Sequence, residues 1–507
     1  MENEIYLYNV NQIKEPDVKM WFCFPSIYSF SLSSLGYLWL CKEFDEREDV
    51  YIERIASDTK TTVLSPNELD FMGFSFSFDL DFLNIFKMLE KYNIPLKSEN
   101  RDETYPLLFA GGPVITSNPM PYSKFFDLFF IGDGEKINSR VVDVYKKNKD
   151  KSKDELLKLL SDIEGVYVPK YPKQVNKVTT ELDDCVYTPI LSENAYFKNT
   201  FIVEIARGCS NCCAFCMASY LNLPQRNVAL NKVLEALELG LSFTNKIALL
   251  GANVCAHPNM NEICEFLLDK MRNGKEIEMT ISSLRADKLS PIVVKTLVRA
   301  GQKSATVALE AGSERLRKVI NKNISKEQFY KTVEIAKDNG LKGLKVYCMY
   351  GIPTETMQDL EELVEMAKDL KKTFKGFDLS YAFATFVPKP HTPFQWCERE
   401  NSKSLEKKEL FLKKEFHKLG LKTSFSSIKW DYFQTLLSRG DETLTDYLIE
   451  VYKNGGNLGA FKNSAKGLIE ISNFTNELDI NKELAWDIIK VRPEKFALIQ
   501  EHNRLLH

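Results

Sequence analysis

Between Phe201 and Trp396 the chain switches six times from a short apolar run to a longer stretch of helical periodicity. The runs fall at 201–205, 246–250, 278–283, 304–309, 343–349 and 378–385, each the length of a buried strand. Between the first two, Leu230, Val233, Leu234, Leu237 and Leu241 recur at the spacing of one helix face. Boundary residues agree. Ser290-Pro291 opens a helix that Gly301 follows, and Ser325-Lys-Glu-Gln328 has capping-box spacing before a helix that Gly340 follows. Such alternation dictates parallel strands with right-handed crossovers. Six units make a partial barrel, open on one side, whose post-strand loops share one functional face.

The first of those loops carries the chemistry. Phe201-Ile-Val-Glu-Ile-Ala-Arg-Gly-Cys-Ser-Asn-Cys-Cys-Ala-Phe-Cys216 is a strand running into four cysteines within eight positions. Cys209, Cys213 and Cys216 space as CxxxCxxC, with aromatic Phe215 before the last. Three thiolates on one short loop suit an iron–sulfur cluster with an open fourth corner. Zinc would want four ligands in paired spacing. Cys212, in the middle, could substitute as a ligand.

Composition limits the setting. Eleven cysteines, an odd number, crowd partly into one loop, and Met1-Glu-Asn-Glu-Ile5 lacks the order of a secretion signal. A disulfide framework is not expected; a reducing cytoplasm is. Lys and Arg total 67 against 70 acids, which offers no general nucleic-acid footprint. Trp21 to Leu40 is apolar but broken by Pro25 and several serines, so no membrane span is expected.

Upstream, the runs Lys19–Phe24, Phe71–Phe76, Leu107–Gly112 and Phe126–Glu135 read as strands of an α/β unit. All but the second run into Gly or Pro, as where a strand gives way to a loop at the ligand edge of a parallel sheet. No GxGxxG follows the first, so a dinucleotide fold lacks motif support. The expected organisation is an α/β domain over 1–145, a connector over 146–199, the barrel over 200–400 and a mostly helical region over 401–507.

The cysteine loop at the end of the first barrel strand resembles that of the radical S-adenosylmethionine (SAM) superfamily. The resemblance implies a single [4Fe–4S] cluster held by Cys209, Cys213 and Cys216, with SAM on the open iron and Phe215 beside it. It continues along the strand ends. Leu249-Leu-Gly-Ala-Asn253 stands where the family often has Gly-Gly-Glu; Gly251 is kept, and Asn253 replaces the acid that meets the SAM amino group. Arg285 is placed to pair with the SAM carboxylate. Ala308-Leu-Glu-Ala-Gly-Ser-Glu-Arg315 resembles the ribose-binding segment, with Glu310 on the hydroxyls, Gly312 allowing close approach and Ser313 nearby. Gly351, in Val346-Tyr-Cys-Met-Tyr-Gly-Ile-Pro-Thr-Glu355, would pass beside adenine; Lys389 and His391 of the sixth segment could face substrate.

The wording "EIARGC", "ALEAGSERLR" and "FVPKPHTPFQW" is similar to the branch carrying an amino-terminal cobalamin-binding-like domain, and Ala110-Gly-Gly-Pro113 and Ile131-Gly-Asp-Gly-Glu135 match that module's glycine-rich half. That module usually contains DxHxxG, yet the five histidines are His257, His391, His417, His502 and His507. Either cobalamin binds without a histidine from domain one, or the domain is a vestigial scaffold, the reading favoured here. Scattered Cys23, Cys41 and Cys185 do not form the additional amino-terminal cluster of tRNA methylthiotransferases, and only Cys397 lies beyond Cys348. The expectation is therefore a cytoplasmic radical SAM enzyme with an unidentified substrate and a flavodoxin- or ferredoxin-like electron donor. Its rivals are a cobalamin-dependent radical SAM methyltransferase and a non-catalytic Fe–S redox-sensing or RNA-binding protein.

Overall fold

The computed structural model describes residues 3–10, 15–281 and 284–506. The amino-terminal sheet is built from β1 (Val18–Phe24), β2 (Val50–Ala56), β3 (Phe71–Ser75), β4 (Leu107–Gly111), β5 (Leu128–Phe130) and β6 (Val166–Tyr167). Their spatial order is β2-β1-β3-β4-β5-β6, parallel except for the last. That is the doubly wound 2-1-3-4-5 order, in which the ligand crevice opens at the carboxyl ends where strand order reverses.

One face of this sheet packs against α1 (Leu35–Asp45) and α3 (Gly134–Lys147) through Tyr37, Leu38, Phe44, Ile137 and Val141. The other packs against α2 (Phe82–Lys91) and the chain's far end: Phe433, Leu436, Tyr447 and Phe461, from helices Ile428–Arg439, Thr445–Lys453 and Leu458–Ser464, share its core. The carboxy-terminal helices thus complete a layer that the amino-terminal domain lacks by itself.

The connector joins both sheets, since β6 pairs with β5 and β7 (Val186–Tyr187) pairs antiparallel with the first barrel strand. The barrel wall then runs through β8 (Thr200–Glu204), β9 (Lys246–Leu250) and β10 (Glu278–Ile281), all parallel. It resumes as β11 (Leu284–Arg285), β12 (Ser304–Glu310), β13 (Gly343–Tyr350) and β14 (Asp378–Thr385), again parallel. The third predicted run, 278–283, includes Ser282 and Ser283, which lie outside the described residues. A further parallel strand, β15 (Lys422–Phe425), extends the wall beyond the six predicted units. The expected caps form: Pro291 sits at a helix start, and Ser325 and Gln328 bond reciprocally at 3.1 and 2.8 Å.

Period-two burial gives the wall two faces. On β13, Leu344, Val346, Cys348 and Tyr350 are buried under the helices, whereas Lys345, Tyr347 and Met349 face the hollow. Tyr347, 40% exposed, stands in register between the short side chains of Ala308 and Ala382, with the Lys345 ammonium over its ring at 5.2 Å from the centroid.

Lys389 and His391 tie the barrel to the first domain and the helices covering it. The Lys389 ammonium lies 3.3 Å from Asp79, and His391 Nε2 lies 3.0 Å from the Ser117 carbonyl. Burial pushes the His391 ring down to about 4, against the opposing pull of that carbonyl. The unfolded chain therefore binds the extra proton between about 6.5 and about 4. This residue's contribution is whole above that window and lost as pH falls through it, by up to roughly 3 kcal/mol. The urea midpoint is expected to fall between pH 7 and pH 5. The fall should shrink in His391→Asn, whose amide does not titrate and which tolerates the left-handed backbone at φ +59°.

Candidate iron–sulfur and nucleotide site

The cysteine loop leaves β8 through Gly208, at φ +83°. A Cβ there would lie 2.1 Å from the Asn222 carbonyl oxygen, so the loop can fold back on itself only with glycine. Cys209 and Cys213 are buried and Cys216 is partly exposed. Asn211 Nδ2 approaches Cys209 Sγ at 3.1 Å, and Arg285 Nη1 approaches Cys213 Sγ at 3.9 Å. Burial pushes the Cys213 thiol up to about 11, with nearby Lys322 and Arg285 pulling it back toward thiolate.

Ala214 and Phe215 anchor the loop in an apolar group with Ala311, Leu316, Ile320, Phe386 and Phe394. Backbone bonds from Ala214 N to Ile320 O (2.9 Å) and from Phe394 N to Ala214 O (3.3 Å) fix it to the segments that follow β12 and β14. Cys212 takes a left-handed backbone, φ +47°, and its side chain packs with Tyr220, Trp396 and Leu498. Its carbonyl accepts from Tyr220 Oη at 2.9 Å and Asn321 Nδ2 at 2.8 Å.

The other named residues lie at neighbouring strand ends. Past β9, Gly251 approaches β8 so closely that a Cβ would stand 3.1 Å from the Ala206 carbonyl. Asn253 follows, 4% exposed, and neither its Nδ2 nor its Oδ1 has a hydrogen-bond partner in the protein. Buried amides are almost always paired, so this one is an exception. Arg285, ending β11, forms an ion pair with Asp287 at 2.6 Å. Glu310, ending β12, has φ +69°, and the β12–β13 register shifts beside it. Strain of this kind, about 1–3 kcal/mol, is tolerated where surroundings impose it. Here the Lys322 ammonium holds the carboxylate at 2.7 Å, with both side chains nearly buried.

Three residues have structural work of their own. A Cβ on Gly312 would lie 2.3 Å from the Leu363 Cβ and 2.5 Å from its backbone nitrogen, so this glycine admits the helix Met357–Thr373. Ser313 caps a helix by accepting from Leu316 N at 3.1 Å while its hydroxyl donates to Asp359. Gly351, φ +75°, turns beneath Leu405 and donates its N–H to Glu355 at 2.7 Å. Sequence reasoning overlooked Lys322, which no local pattern joins to Glu310, and Tyr347, whose strand position makes it lumenal.

The donor set fits the implied groups. Among the described residues no three His, Cys, Asp or Glu side chains converge on a single ion. A four-iron cluster instead holds its thiolates on separate corners, so three cysteines on one short loop suit it without meeting at a single point. The unpaired Asn253 amide, the Arg285 guanidinium and the Glu310 carboxylate stand at neighbouring strand ends, the last two close enough to Cys213 to act on its charge.

A parallel βα wall with a three-thiol loop at the end of its first strand defines a cluster-bearing barrel enzyme. Family models agree in both halves: "Radical SAM proteins, N-terminal" matches residues 38–169 and "Radical SAM superfamily" matches 203–367. The chain belongs to the radical SAM superfamily. It is 32% identical over 390 residues to an uncharacterized protein of Methanocaldococcus jannaschii, covering 75% of this chain and 80% of that one. A tRNA-2-methylthio-N(6)-dimethylallyladenosine synthase of Chlorobium phaeobacteroides is 25% identical over 218 residues, 40% of this chain and 47% of that protein. The chain thus spans about half of that synthase's length. Among solved structures, the radical SAM methyltransferase TsrM of Kitasatospora setae, with cobalamin and a [4Fe–4S] cluster bound, superposes with TM-score 0.55 at 11% identity, over 75% of this chain and 77% of that one. At that identity the likeness concerns fold. The protein is a radical SAM enzyme whose cofactors are a [4Fe–4S] cluster and SAM, and its substrate is unidentified.

Proposed function

We propose that Cys209, Cys213 and Cys216 hold the cluster and that SAM lies across the ends of β9, β11 and β12. When bound, the reduced cluster supplies the electron that breaks a C–S bond of SAM. Asn253 receives the SAM amino group, Arg285 its carboxylate and Glu310 the ribose hydroxyls. Phe215 and the group around Phe386 keep water from the loop, and Gly351 carries the backbone past the adenine. The observation carrying this reading is the Cys213 thiol set among the Lys322, Arg285 and Glu310 charges, with the Asn253 amide buried and unpaired past the end of β9.

No helix among the described residues is long and apolar enough to cross a membrane. A cytoplasmic setting with a flavodoxin- or ferredoxin-like donor suits a cluster that must be reduced. The test is anaerobic reconstitution followed by dithionite and SAM. Production of 5′-deoxyadenosine and methionine is expected; a protein that binds about four irons but leaves SAM intact would return the chain to the non-catalytic reading.

A further inference from the structure

Outside the carboxyl ends of β1 and β3, where the strand order reverses, lies a cavity of about 330 Å³ shared with the barrel. Phe22 and Phe130 of the sheet, Trp39 and Leu40 of α1, Asn138 of α3 and Leu250 at the end of β9 are among its walls. Because Leu250 immediately precedes the Gly251–Asn253 turn, the cavity adjoins the ends of the barrel strands. We infer that this crevice seats the compact, uncharged part of the substrate and is not a corrinoid site; the inference rests on the radical SAM reading above.

Volume is the first reason. About 330 Å³ is the lower end of small-molecule pockets, about 300–1,000 Å³, and far less than a corrin ring with its nucleotide tail fills. The space behind the strand ends is occupied by rings. Tyr37 stacks on Phe22 at 5.1 Å, Phe22 on Phe109 at 6.3 Å and Phe109 on Phe130 at 4.5 Å. Gly73 makes the ladder continuous, since a Cβ on it would lie 2.1 Å from the tip of Phe109. This ladder backs the cavity, and no His, Cys or Met is among the described residues lining it to meet cobalt.

Charge is the second reason. Arg207, the cation in the cavity wall, pairs with Glu204 (2.7 Å), Glu135 (2.9 Å) and Asp133 (3.3 Å), and Arg226 takes the other oxygen of Asp133 at 2.7 Å. Lys177, whose charge reaches Asp133 and Glu135, completes the network, so three carboxylates face three cations and no net charge is left to attract a charged ligand. Among the side chains lining the cavity, one buried donor has no protein partner: Asn138 Nδ2, on a residue 4% exposed. The complementary molecule is compact and apolar with a hydrogen-bond acceptor such as a carbonyl oxygen.

The test uses reconstituted full-length protein and two probes. Prodan, a neutral naphthalene bearing a carbonyl group, is expected to bind one per chain with a blue-shifted emission. Binding should weaken at least tenfold in Gly36→Phe, because Gly36 lines this crevice and a Cβ on it meets no atom within 4 Å, so the ring can be accommodated there without disturbing the fold. Circular dichroism of that variant checks its fold. Hydroxocobalamin is expected to leave its visible spectrum unchanged on mixing with wild-type protein. A saturable one-to-one cobalamin spectral change, or no saturable Prodan site, would overturn the inference. SAM cleavage by the wild-type protein is read in parallel; its absence would sink the reaction reading, while the two titrations judge the crevice independently.

Discussion

Alanine at Cys209, Cys213 or Cys216 is expected to reduce reconstituted iron from about four per chain to less than one, with loss of 5′-deoxyadenosine formation. Alanine at Cys212 is expected to leave both unchanged. The contrast is the informative part, because the two neighbouring thiols differ only in direction. The left-handed turn at Cys212 sends its side chain to Tyr220, Trp396 and Leu498, while Cys213 stays beside Arg285 and Lys322. Iron and sulfide assays with the visible cluster spectrum measure the outcome. If Cys212→Ala lost its cluster while Cys213→Ala kept it, the ligand assignment would be exchanged.

The barrel was legible because its two periodicities, near 3.6 and 2, are written in the order of residues. Predicted strands 246–250 and 378–385 match β9 and β14 end for end. Strand β2 was not anticipated, since Glu53 and Arg54 interrupt its apolar pattern. Those side chains are spent on tertiary partners: Glu53 accepts from Trp21 Nε1 at 3.0 Å, and Arg54 pairs with Glu4 at 2.5 Å. The role of the carboxy-terminal helices was equally hidden, because covering a sheet formed three hundred residues earlier leaves no local trace. Within the site, family resemblance placed Gly312 and Ser313 beside a ligand; the fold adds packing against Leu363 and a helix cap, both set by long-range contact. Linear motifs record which residues end the strands. They do not record what each one touches.

The second large effect is expected at Glu310 and Lys322. Both are nearly buried, so removing one partner strands the other's charge, a loss of about 3–5 kcal/mol. Lys322→Met is therefore expected to lower the urea midpoint strongly. Glu310→Gln keeps the shape and can still accept from the ammonium, so it should fold with its iron content intact. Its defect should appear in SAM binding. A carboxylate accepting from ribose hydroxyls contributes about 1.5–3 kcal/mol per charged hydrogen bond, so SAM affinity should fall roughly 10- to 150-fold. The double variant separates the two roles. Replacing both partners removes the stranded charge, so stability should recover relative to Lys322→Met while SAM affinity stays low. Isothermal titration with SAM on reconstituted protein gives the affinities, and denaturation gives the coupling. An unchanged SAM affinity in Glu310→Gln would mean that this carboxylate serves the strand end alone, and that the strained backbone at φ +69° is held for the ion pair and not for the nucleoside.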